Sequence, residues 1–543
     1  MELIYSFTVA LFLTIALMPV LIRFSAQLQL VDAPTVDRKL HDKVMPRSGG
    51  LAIILGVFIP LAFLLAMDGY IPYLFIGSGI IILFGLLDDR IELNYQWKLF
   101  GQSLAVIVVM MGGIVIHQIP FFGLEAMPNW ISWPLTFIFL LGVINGVNFS
   151  DGLDGLAAGM SLLALATIAI LATVVEDQNV ALISLTVIGG ILGFLRFNTF
   201  PAKIFMGDAG SQFLGFITAC LAIVVTQSES SALNTFLPVI ILGLPILDIL
   251  QVVPVRIKKG LPLPGPDKEH FHHQLVKLEF KHHEVVAIIY VLQILMMSGA
   301  YLLRFESDIA LFSFYMVYLL VVLGALYMAH RVGWRVRGPQ LETFSRERRN
   351  LLFRKIGWVY HYSAQIVQVV LILFFIVVPL LITDIAFQFS IAAMLLAFAF
   401  AVLGFVFKSA SALLARVACY SVSVFLVYLA SMHIQNPSYL NYIDIFLAVL
   451  AAFLMLSIRM SRQEQFRLDT QDLLILLMVV IVPQLPLNIS EDLAVSEMAL
   501  RLAVLMYACE FLLAREDGKH FKYLSMGSVF SFFIISMTTY ITL

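Results

Sequence analysis

The sequence has 543 residues, of which 61% are hydrophobic and only 13% are charged, and its mean hydropathy is +0.96. Soluble domains are about half apolar and about a quarter charged, so this composition excludes an ordinary soluble protein. The net charge of −2 says nothing about nucleic acid, but the sequence has no extended basic arm, so we expect no nucleic acid as a partner. We therefore expect an all-α, polytopic helical membrane protein whose main surroundings are the lipid bilayer.

Apolar segments predict eleven membrane spans up to about residue 329, at about 20 residues for each crossing. They lie near 3–24, 49–67, 72–87, 98–117, 132–148, 157–175, 180–196, 210–227, 234–254, 285–303 and 309–329. Seven further spans are predicted near 360–383, 388–407, 410–431, 442–458, 472–486, 497–514 and 523–541. The N-terminal segment lacks a basic start and a small-residue cleavage site, which favours a first span over a signal peptide.

The lysines and arginines predict the orientation of these spans. With an external N-terminus, all 33 except Arg304 and Arg501 fall on the internal side, as the positive-inside rule requires. The C-terminus is then also external. A basic segment at 330–356 is predicted to be a cytoplasmic linker between a module at 1–329 and a seven-span module of unknown role at 357–543.

Five consecutive internal loops of the first module carry unusual polar residues, whereas the external loops are bland. The five segments are 31–50, 86–98, 145–159, 196–211 and 247–280. Because the predicted topology places all of them on one face, they predict a composite cytoplasmic site. A transporter is a rival hypothesis, but transporters typically place their sites near the bilayer midplane. A scaffold without catalysis is a third alternative.

Adjacent Asp88 and Asp89 end an apolar segment. Two carboxylates so close resist ionising together, so one could act as a base or both could attract a cation. A solvated helix end is the alternative. Farther along, Asn145, Asn148, Asp151 and Asp154 lie among glycines between two apolar segments, where polar groups are costly and tend to be functional. The glycines indicate a helix end that opens into a loop able to approach a phosphate or a metal.

Asp208 lies between glycines in "FMGDAGS", at the start of a predicted span. Such a carboxylate suits Mg²⁺, which takes few protein carboxylates and shares the phosphates of its substrate. A helix N-cap is the alternative. His270, His272 and His273 lie beside several cations without a cysteine, which favours phosphate binding over zinc. Together these residues predict a Mg²⁺-dependent site for a diphosphate, with one soluble and one lipid substrate.

The set of motifs resembles the polyprenyl-phosphate N-acetylhexosamine-1-phosphate transferases, glycosyltransferase family 4. The resemblance rests on "PRSGG", "LLDDR", "NGVNFSDGLDGLAAG", "RFNTFPAKIFMGDAGS" and "DKEHFHH", which occur in the family's order within residues 1–329. It implies transfer of sugar-1-phosphate from a UDP-sugar to undecaprenyl phosphate with release of UMP. It also implies Mg²⁺, with Mn²⁺ as an alternative, and a cytoplasmic active site in the bacterial inner membrane.

The resemblance also implies a role for each matching residue. Asp88, Asp89 and Asp208 would be catalytic, with Asp88 deprotonating or orienting the lipid phosphate. Asp208 and Asn148 would be the metal ligands, and Asn198 would contact uridine. The predicted substrate-binding residues are Asn145, Asn148, Asp151, Asp154, Asn198, Lys203, His270, His272 and His273. Direct attack and a phospho-aspartate intermediate both stay open, and positioning with charge stabilisation favours the direct route.

Phe271 interrupts the histidine cluster in "DKEHFHH". That pattern resembles the branch of the family that uses UDP-GlcNAc rather than the peptidoglycan branch, which has three successive histidines. We therefore predict GlcNAc as the sugar, with GalNAc or a modified HexNAc as alternatives. A homodimer, and docking of downstream glycosyltransferases or export of the product by residues 357–543, are further open hypotheses.

Overall fold

A computed structural model describes residues 2–32, 44–119, 121, 127–228, 231–260, 269–336, 365–382, 385, 387–406, 411–434, 437–460, 495–513 and 519–541. The chain divides into two compact units, the first spanning residues 1–338 and the second made of most of the remainder. Most of the predicted linker at 330–356 lies outside the described residues, so the domain boundaries stay a prediction.

The first unit is helical apart from one short hairpin, in which β1 (Val31–Asp32) pairs antiparallel with β2 (Met45–Pro46). Its helices are α1 (Glu2–Phe24), α2 (Gly49–Leu64), α3 (Ile71–Ile91), α4 (Tyr95–Met111), α5 (Asn129–Phe149), α6 (Leu156–Val174), α7 (Gln178–Asn198), α8 (Gly207–Gln227), α9 (Leu237–Ile241), α10 (Gly243–Lys258), α11 (Phe271–Lys277), α12 (His282–Leu302) and α13 (Asp308–Val332).

Eight helices in the described part of the chain are long and apolar enough to cross a membrane, which confirms the predicted fold class. The predicted spans of the first unit coincide with helices, and those at α2, α4 and α10 are 16 or 17 residues long. One prediction differs from the structure. The predicted span at 234–254 is two helices, because the chain breaks at Leu242 between α9 and α10. Pro245, in the first turn of α10, has no N–H to bond back across that break.

The second unit is also helical where it is described. Its helices are α14 (Gln365–Leu381), α15 (Phe387–Val406), α16 (Ser411–His433), α17 (Pro437–Met460), α18 (Val495–Leu513) and α19 (Lys519–Ile541). Arg501 on α18 forms a bidentate ion pair with Asp444 on α17, at 2.7 and 2.9 Å. The predicted span near 472–486 lies outside the described residues.

Helix α8 lies at the centre of the first unit, with 94% of its most apolar segment buried. Helices α2 and α3 reach it through glycines: a Cβ at Gly50 would overlap Gly210 of α8, and a Cβ at Gly85 would overlap the backbone of Ala209. This close approach brings the C-terminal end of α3 beside the N-terminal end of α8. The carboxylates of "LLDDR" and "FMGDAGS" meet there.

Candidate active site

A cavity of about 610 Å³ lies where α3, α5 and α7 end and α8 begins. Its lining includes these predicted site residues: Asp89, Asn148, Asp151, Asp154, Asn198, Asp208 and His273. Four of the five polar segments of the sequence therefore place side chains predicted to act in the site around one space, and the fifth, 31–50, contributes Arg47. Asp88, Asn145, Lys203, His270 and His272 do not line it.

Lys98 connects two of the carboxylates. Its ammonium group lies 2.9 Å from Oδ2 of Asp88 and 3.0 Å from Oδ1 of Asp208. The other oxygen of Asp88 accepts the backbone N–H of Leu93 at 2.8 Å, just beyond the end of α3. Asp88 is buried, so a cation in contact with it offsets part of the cost of holding a carboxylate away from water. Asp88 thus lies just outside the cavity lining and is linked to Asp208 through the Lys98 ammonium group.

Asp89 holds the start of α8. Its two oxygens accept the backbone N–H groups of Asp208 and Ala209 at 2.8 and 3.0 Å. Gly207 has a φ of +77°, and a Cβ there would lie 2.6 Å from an Asp89 oxygen. The first free N–H groups of α8 are therefore satisfied by a carboxylate from another helix. The sequence prediction named Asp89 catalytic, and the structure shows in addition that it fixes the position of Asp208.

The last turn of α5 and the loop that joins α5 to α6 carry three polar side chains of the cavity, those of Asn148, Asp151 and Asp154. Asn148 accepts a hydrogen bond from Ser211 Oγ at 2.8 Å and also hydrogen-bonds the Asp208 carboxylate. Burial, followed by the negative charges of Asp208 and Asp89, raises the pKa of Asp151 to about 7. Negative charge is thus crowded around one end of the cavity, where a cation or a cationic side chain would be stabilised.

The side chains of Asn198 and Asp154 form hydrogen bonds within the protein. Asn198 accepts the N–H of Gly155 at 2.9 Å and donates to the carbonyl of Ile204 at 2.8 Å. Asp154 accepts the N–H of Ala202 at 2.9 Å. Both therefore tie the α5–α6 loop to the segment between α7 and α8, and the predicted contact of Asn198 with uridine stays a prediction. The side chain of Lys203 is exposed and lies outside the cavity lining.

The three histidines have three different environments. His270 Nδ1 lies 2.7 Å from Oδ2 of Asp248, whose other oxygen accepts the N–H of Phe271 at 2.7 Å. His272 is buried, and its Nε2 has no hydrogen-bond partner among the described residues. Burial, together with neighbouring His273, lowers the pKa of His272 to about 3, so its ring is neutral. Of the three, His273 alone lines the cavity.

Asn145 lies in a buried amide network rather than at the cavity. Its Nδ2 donates to Gln102 Oε1 at 2.9 Å, and Gln102 in turn donates to Gln212 at 3.0 Å. The network links α4, α5 and α8 in the interior of the first unit. Asn145 therefore stabilises the packing beneath the site, and the structure does not bring it to the other predicted substrate-binding residues.

Three side chains of the candidate site were missed by the sequence reasoning. Lys98 joins Asp88 to Asp208, while Arg47 and His282 line the cavity. Arg47 forms an ion pair with Asp32 at 2.8 Å across the β1–β2 hairpin. Arg47 lay within the quoted segment "PRSGG", so that segment was a signal that could have identified it. Lys98 likewise ends the polar segment 86–98, whereas His282 had no comparable signal, because it reaches the site only through the packing of its helix.

The oxygen atoms that the cavity offers fit a hard cation whose remaining ligands are substrate phosphates and water. Within the described residues, no three His, Cys, Asp or Glu side chains converge into a preformed metal site. The cavity instead offers the carboxylate of Asp208 with the amide of Asn148 beside it. Mg²⁺ binds through one or two carboxylates plus substrate phosphates and water, whereas a zinc site usually has three or four protein ligands that include His or Cys. The residues present therefore fit Mg²⁺ bound together with a diphosphate.

Comparison with known proteins identifies the family. The model of glycosyl transferase family 4 matches residues 71–226, which include α3 to α8. A probable undecaprenyl-phosphate N-acetylglucosaminyl 1-phosphate transferase of Bacillus subtilis is 35% identical over 327 residues, covering 59% of this chain and 90% of that protein. The chain belongs to glycosyl transferase family 4.

Two further relatives of this family 4 protein come from distant bacteria. A decaprenyl-phosphate N-acetylglucosaminephosphotransferase of Mycobacterium tuberculosis is 33% identical over 47% of this chain and 71% of its own length. An undecaprenyl-phosphate alpha-N-acetylglucosaminyl 1-phosphate transferase of Escherichia coli is 26% identical over 56% of this chain and 85% of its own length. Each match leaves a large part of this chain unaligned.

Proposed function

We propose that this protein transfers N-acetylhexosamine-1-phosphate, with GlcNAc as the sugar, from a UDP-sugar to a polyprenyl phosphate. The relatives support this proposal, because their names describe N-acetylglucosaminyl-1-phosphate transfer to undecaprenyl or decaprenyl phosphate. The observation that carries it in this chain is the contact of one ammonium group, that of Lys98, with both Asp88 and Asp208 at the edge of the cavity. That arrangement joins a metal-binding carboxylate to a second carboxylate that can serve the acceptor.

The reaction exchanges one phosphorus–oxygen bond for another. An oxygen of the lipid phosphate attacks the phosphorus that carries the sugar, and the bond from that phosphorus to the oxygen shared with the uridine phosphate breaks. UMP leaves with the bonding electrons, and the lipid keeps a diphosphate that bears the sugar. The chemistry requires in-line positioning and stabilisation of negative charge rather than a covalent enzyme intermediate, so we propose direct attack.

Asp208 and Asn148 would hold Mg²⁺ on the diphosphate of the UDP-sugar. When bound, Mg²⁺ neutralises the charge that develops on the phosphate oxygens and the departing UMP. Asp89 keeps the Asp208 backbone in place through its two hydrogen bonds to the start of α8. Hydrogen bonds with Ser211 and with the Asp208 carboxylate hold the Asn148 side chain, the second proposed metal ligand, in place relative to Asp208.

Asp88 is the residue we assign to the acceptor. Its carboxylate lies next to the cavity wall and is oriented by Leu93 N and Lys98 Nζ. In this position it can accept a proton from the lipid phosphate or hold that phosphate through Lys98. Arg47 and His273, which line the cavity, supply donors for phosphate oxygens.

The multi-pass helical architecture places this chemistry in a membrane protein. We propose the cytoplasmic face of a bacterial inner membrane, with both termini external, because the lysine and arginine distribution predicts it. The product would then start a lipid-linked glycan for the cell surface. A homodimer and the docking of downstream glycosyltransferases on the second unit stay predictions.

The decisive experiment measures UMP release by the purified protein with Mg²⁺, UDP-GlcNAc and undecaprenyl phosphate. We expect turnover that EDTA abolishes, and no turnover by Asp208→Asn. Asp308→Asn is the matched control, because Asp308 also accepts two hydrogen bonds but lies outside the cavity lining. Wild-type turnover by Asp208→Asn would refute the metal assignment, and a panel of UDP-sugars in the same assay would identify the donor.

A further inference from the structure

The α5–α6 loop, which carries Asp151 into the cavity, is held by a helix that contributes no motif to the family resemblance. Tyr290 of α12 is fully buried, and its hydroxyl donates to the carbonyl of Gly155 at 2.8 Å. About two turns before it, at the start of the same helix, His282 Nε2 lies 3.3 Å from the carbonyl of Asp154. Helix α12 therefore contacts two consecutive carbonyls of the loop.

Asp154 and Gly155 are also hydrogen-bonded to the end of α7 and the segment that follows it. Gly155 donates its N–H to Asn198 at 2.9 Å, and the Asp154 carboxylate accepts the N–H of Ala202 at 2.9 Å. Both backbone groups of Gly155 are thus hydrogen-bonded to side chains distant in sequence. Gly155 has a φ of +80°, a conformation that the loop must hold to turn from α5 into α6.

Room for the Tyr290 hydroxyl is provided by a second glycine. A Cβ at Gly159, in the first turn of α6, would overlap the Tyr290 hydroxyl oxygen. The packing therefore lets a large buried side chain pass across α6 and reach the Gly155 carbonyl. The Gly155 carbonyl also accepts the backbone N–H of Gly159 at 2.9 Å, so the Tyr290 hydroxyl supplies the second of its two hydrogen bonds, and the one that comes from a distant helix.

We propose that Tyr290 is a positioning residue of the transferase site: through Gly155, it holds the loop so that Asp151 faces the cavity. Tyr290 is not among the residues that line the cavity, so it acts through the loop and not on the substrate. The functional part of this inference rests on the proposed transferase function. The structural part, that the hydroxyl restrains the loop, does not.

The test compares two single-atom changes in the full-length protein. Tyr290→Phe removes only the hydroxyl. Tyr315→Phe is the matched control, because Tyr315 is also buried and donates to a glycine carbonyl, that of Gly243 at 2.9 Å, away from the cavity lining. Both variants lose the same kind of hydrogen bond, so a general loss of stability affects both.

The first measurement is amide hydrogen exchange followed by mass spectrometry. We expect faster exchange over residues 150–157 in Tyr290→Phe and unchanged exchange there in Tyr315→Phe. Unchanged exchange in Tyr290→Phe would overturn the proposal. This measurement needs no catalytic activity, so it distinguishes failure of the restraint from failure of the proposed function, which would appear as no UMP release by the wild type.

The second measurement separates kcat from KM for both substrates. We expect Tyr290→Phe to lower kcat up to about tenfold, the order of effect that the loss of one buried hydrogen bond predicts, with the KM for undecaprenyl phosphate unchanged. Tyr315→Phe should keep the wild-type kcat. Gly159→Ala should reproduce the loss in kcat, because its new Cβ would displace the Tyr290 hydroxyl from the Gly155 carbonyl. Equal kcat values for Tyr290→Phe and Tyr315→Phe would contradict a positioning role.

Discussion

The ammonium group of Lys98 lies 3.0 Å from a carboxylate oxygen of Asp208. The same ammonium is 2.9 Å from Asp88, and the two carboxyl groups also contact each other. Lys98 is therefore the nearest positive charge shared by the proposed metal ligand and the proposed acceptor-side carboxylate. It enters the site from the first turn of α4, beyond the end of the "LLDDR" segment.

Replacing Lys98 by methionine should lower the rate of UMP release about 100-fold, comparable to the loss of one charge-stabilising donor in other active sites. Without the ammonium, Asp88 and Asp208 repel each other and the phosphate oxygens lose a donor. Lys258→Met is the control, since the exposed Lys258 side chain lies outside the cavity lining and should tolerate the change. A loss in Lys258→Met as large as in Lys98→Met would show that net positive charge, not this contact, matters.

Gly85→Ala should damage both stability and activity. The new Cβ would overlap the Ala209 backbone, so α3 must move away from α8 and carry Asp88 and Asp89 with it. We expect the free energy of unfolding to fall by about 1–3 kcal/mol, the usual cost of overpacking. Gly79→Ala lies on the same helix with no atom within 4 Å of its Cβ, and should leave both quantities near wild type. Thermal unfolding in detergent and UMP release measure the two effects.

Gly152→Ala should impair the site through the histidine segment. A Cβ at Gly152 would lie 2.5 Å from Nε2 of His272, so the buried His272 ring must move, and it packs against His273 of the cavity wall. We expect a higher KM for UDP-GlcNAc with little change in the unfolding temperature. Gly142→Ala is the control on α5, because its Cβ would meet only Ile249 at 3.9 Å. An unchanged KM in Gly152→Ala would show that the histidine segment does not contact the donor.

Cleavage between the two units should leave the transferase active. The cavity is lined by residues between Asp32 and His282, all within the first unit. A protease site inserted between residues 335 and 345 of the full chain allows the cut to be made after folding and purification. We expect the rate of UMP release to stay within a factor of about two of the uncut protein, well inside the effect of a lost catalytic group. Loss of activity on cutting would show that the second unit supports catalysis.

Much of the fold follows from hydropathy, because a helix that crosses a bilayer must be apolar over its length. The helices of the first unit lie where their apolar segments predicted them. The helix break at Leu242 was not predicted from the sequence. The apolar segment continues through it, and a proline inside an apolar segment is only a weak sign of a break. The family relationship predicted from five ordered motifs is confirmed by the matching family model and by the relatives.

The candidate site was predictable as a set of segments but not as a set of contacts. Spacing alone cannot show that Asn145 turns into an amide network while Asn148, three residues later, reaches the cavity. Nor can it show that both polar groups of Asn198 are already bonded within the protein. These differences depend on which helix packs against each face, and that information lies in residues far along the chain, such as Gln102 and Tyr290.

The amide network of Gln102, Asn145 and Gln212 has a consequence for biogenesis. A glutamine entering hydrocarbon alone would carry an unpaired amide, which is unfavourable. Synthesis proceeds from α4 to α5 and then to α8, so Gln102 and Asn145 can pair with each other before Gln212 leaves the ribosome. Gln212 then inserts next to partners that are already in the bilayer. At no stage of synthesis does the chain need to hold more than one of these side-chain amides without a hydrogen-bond partner.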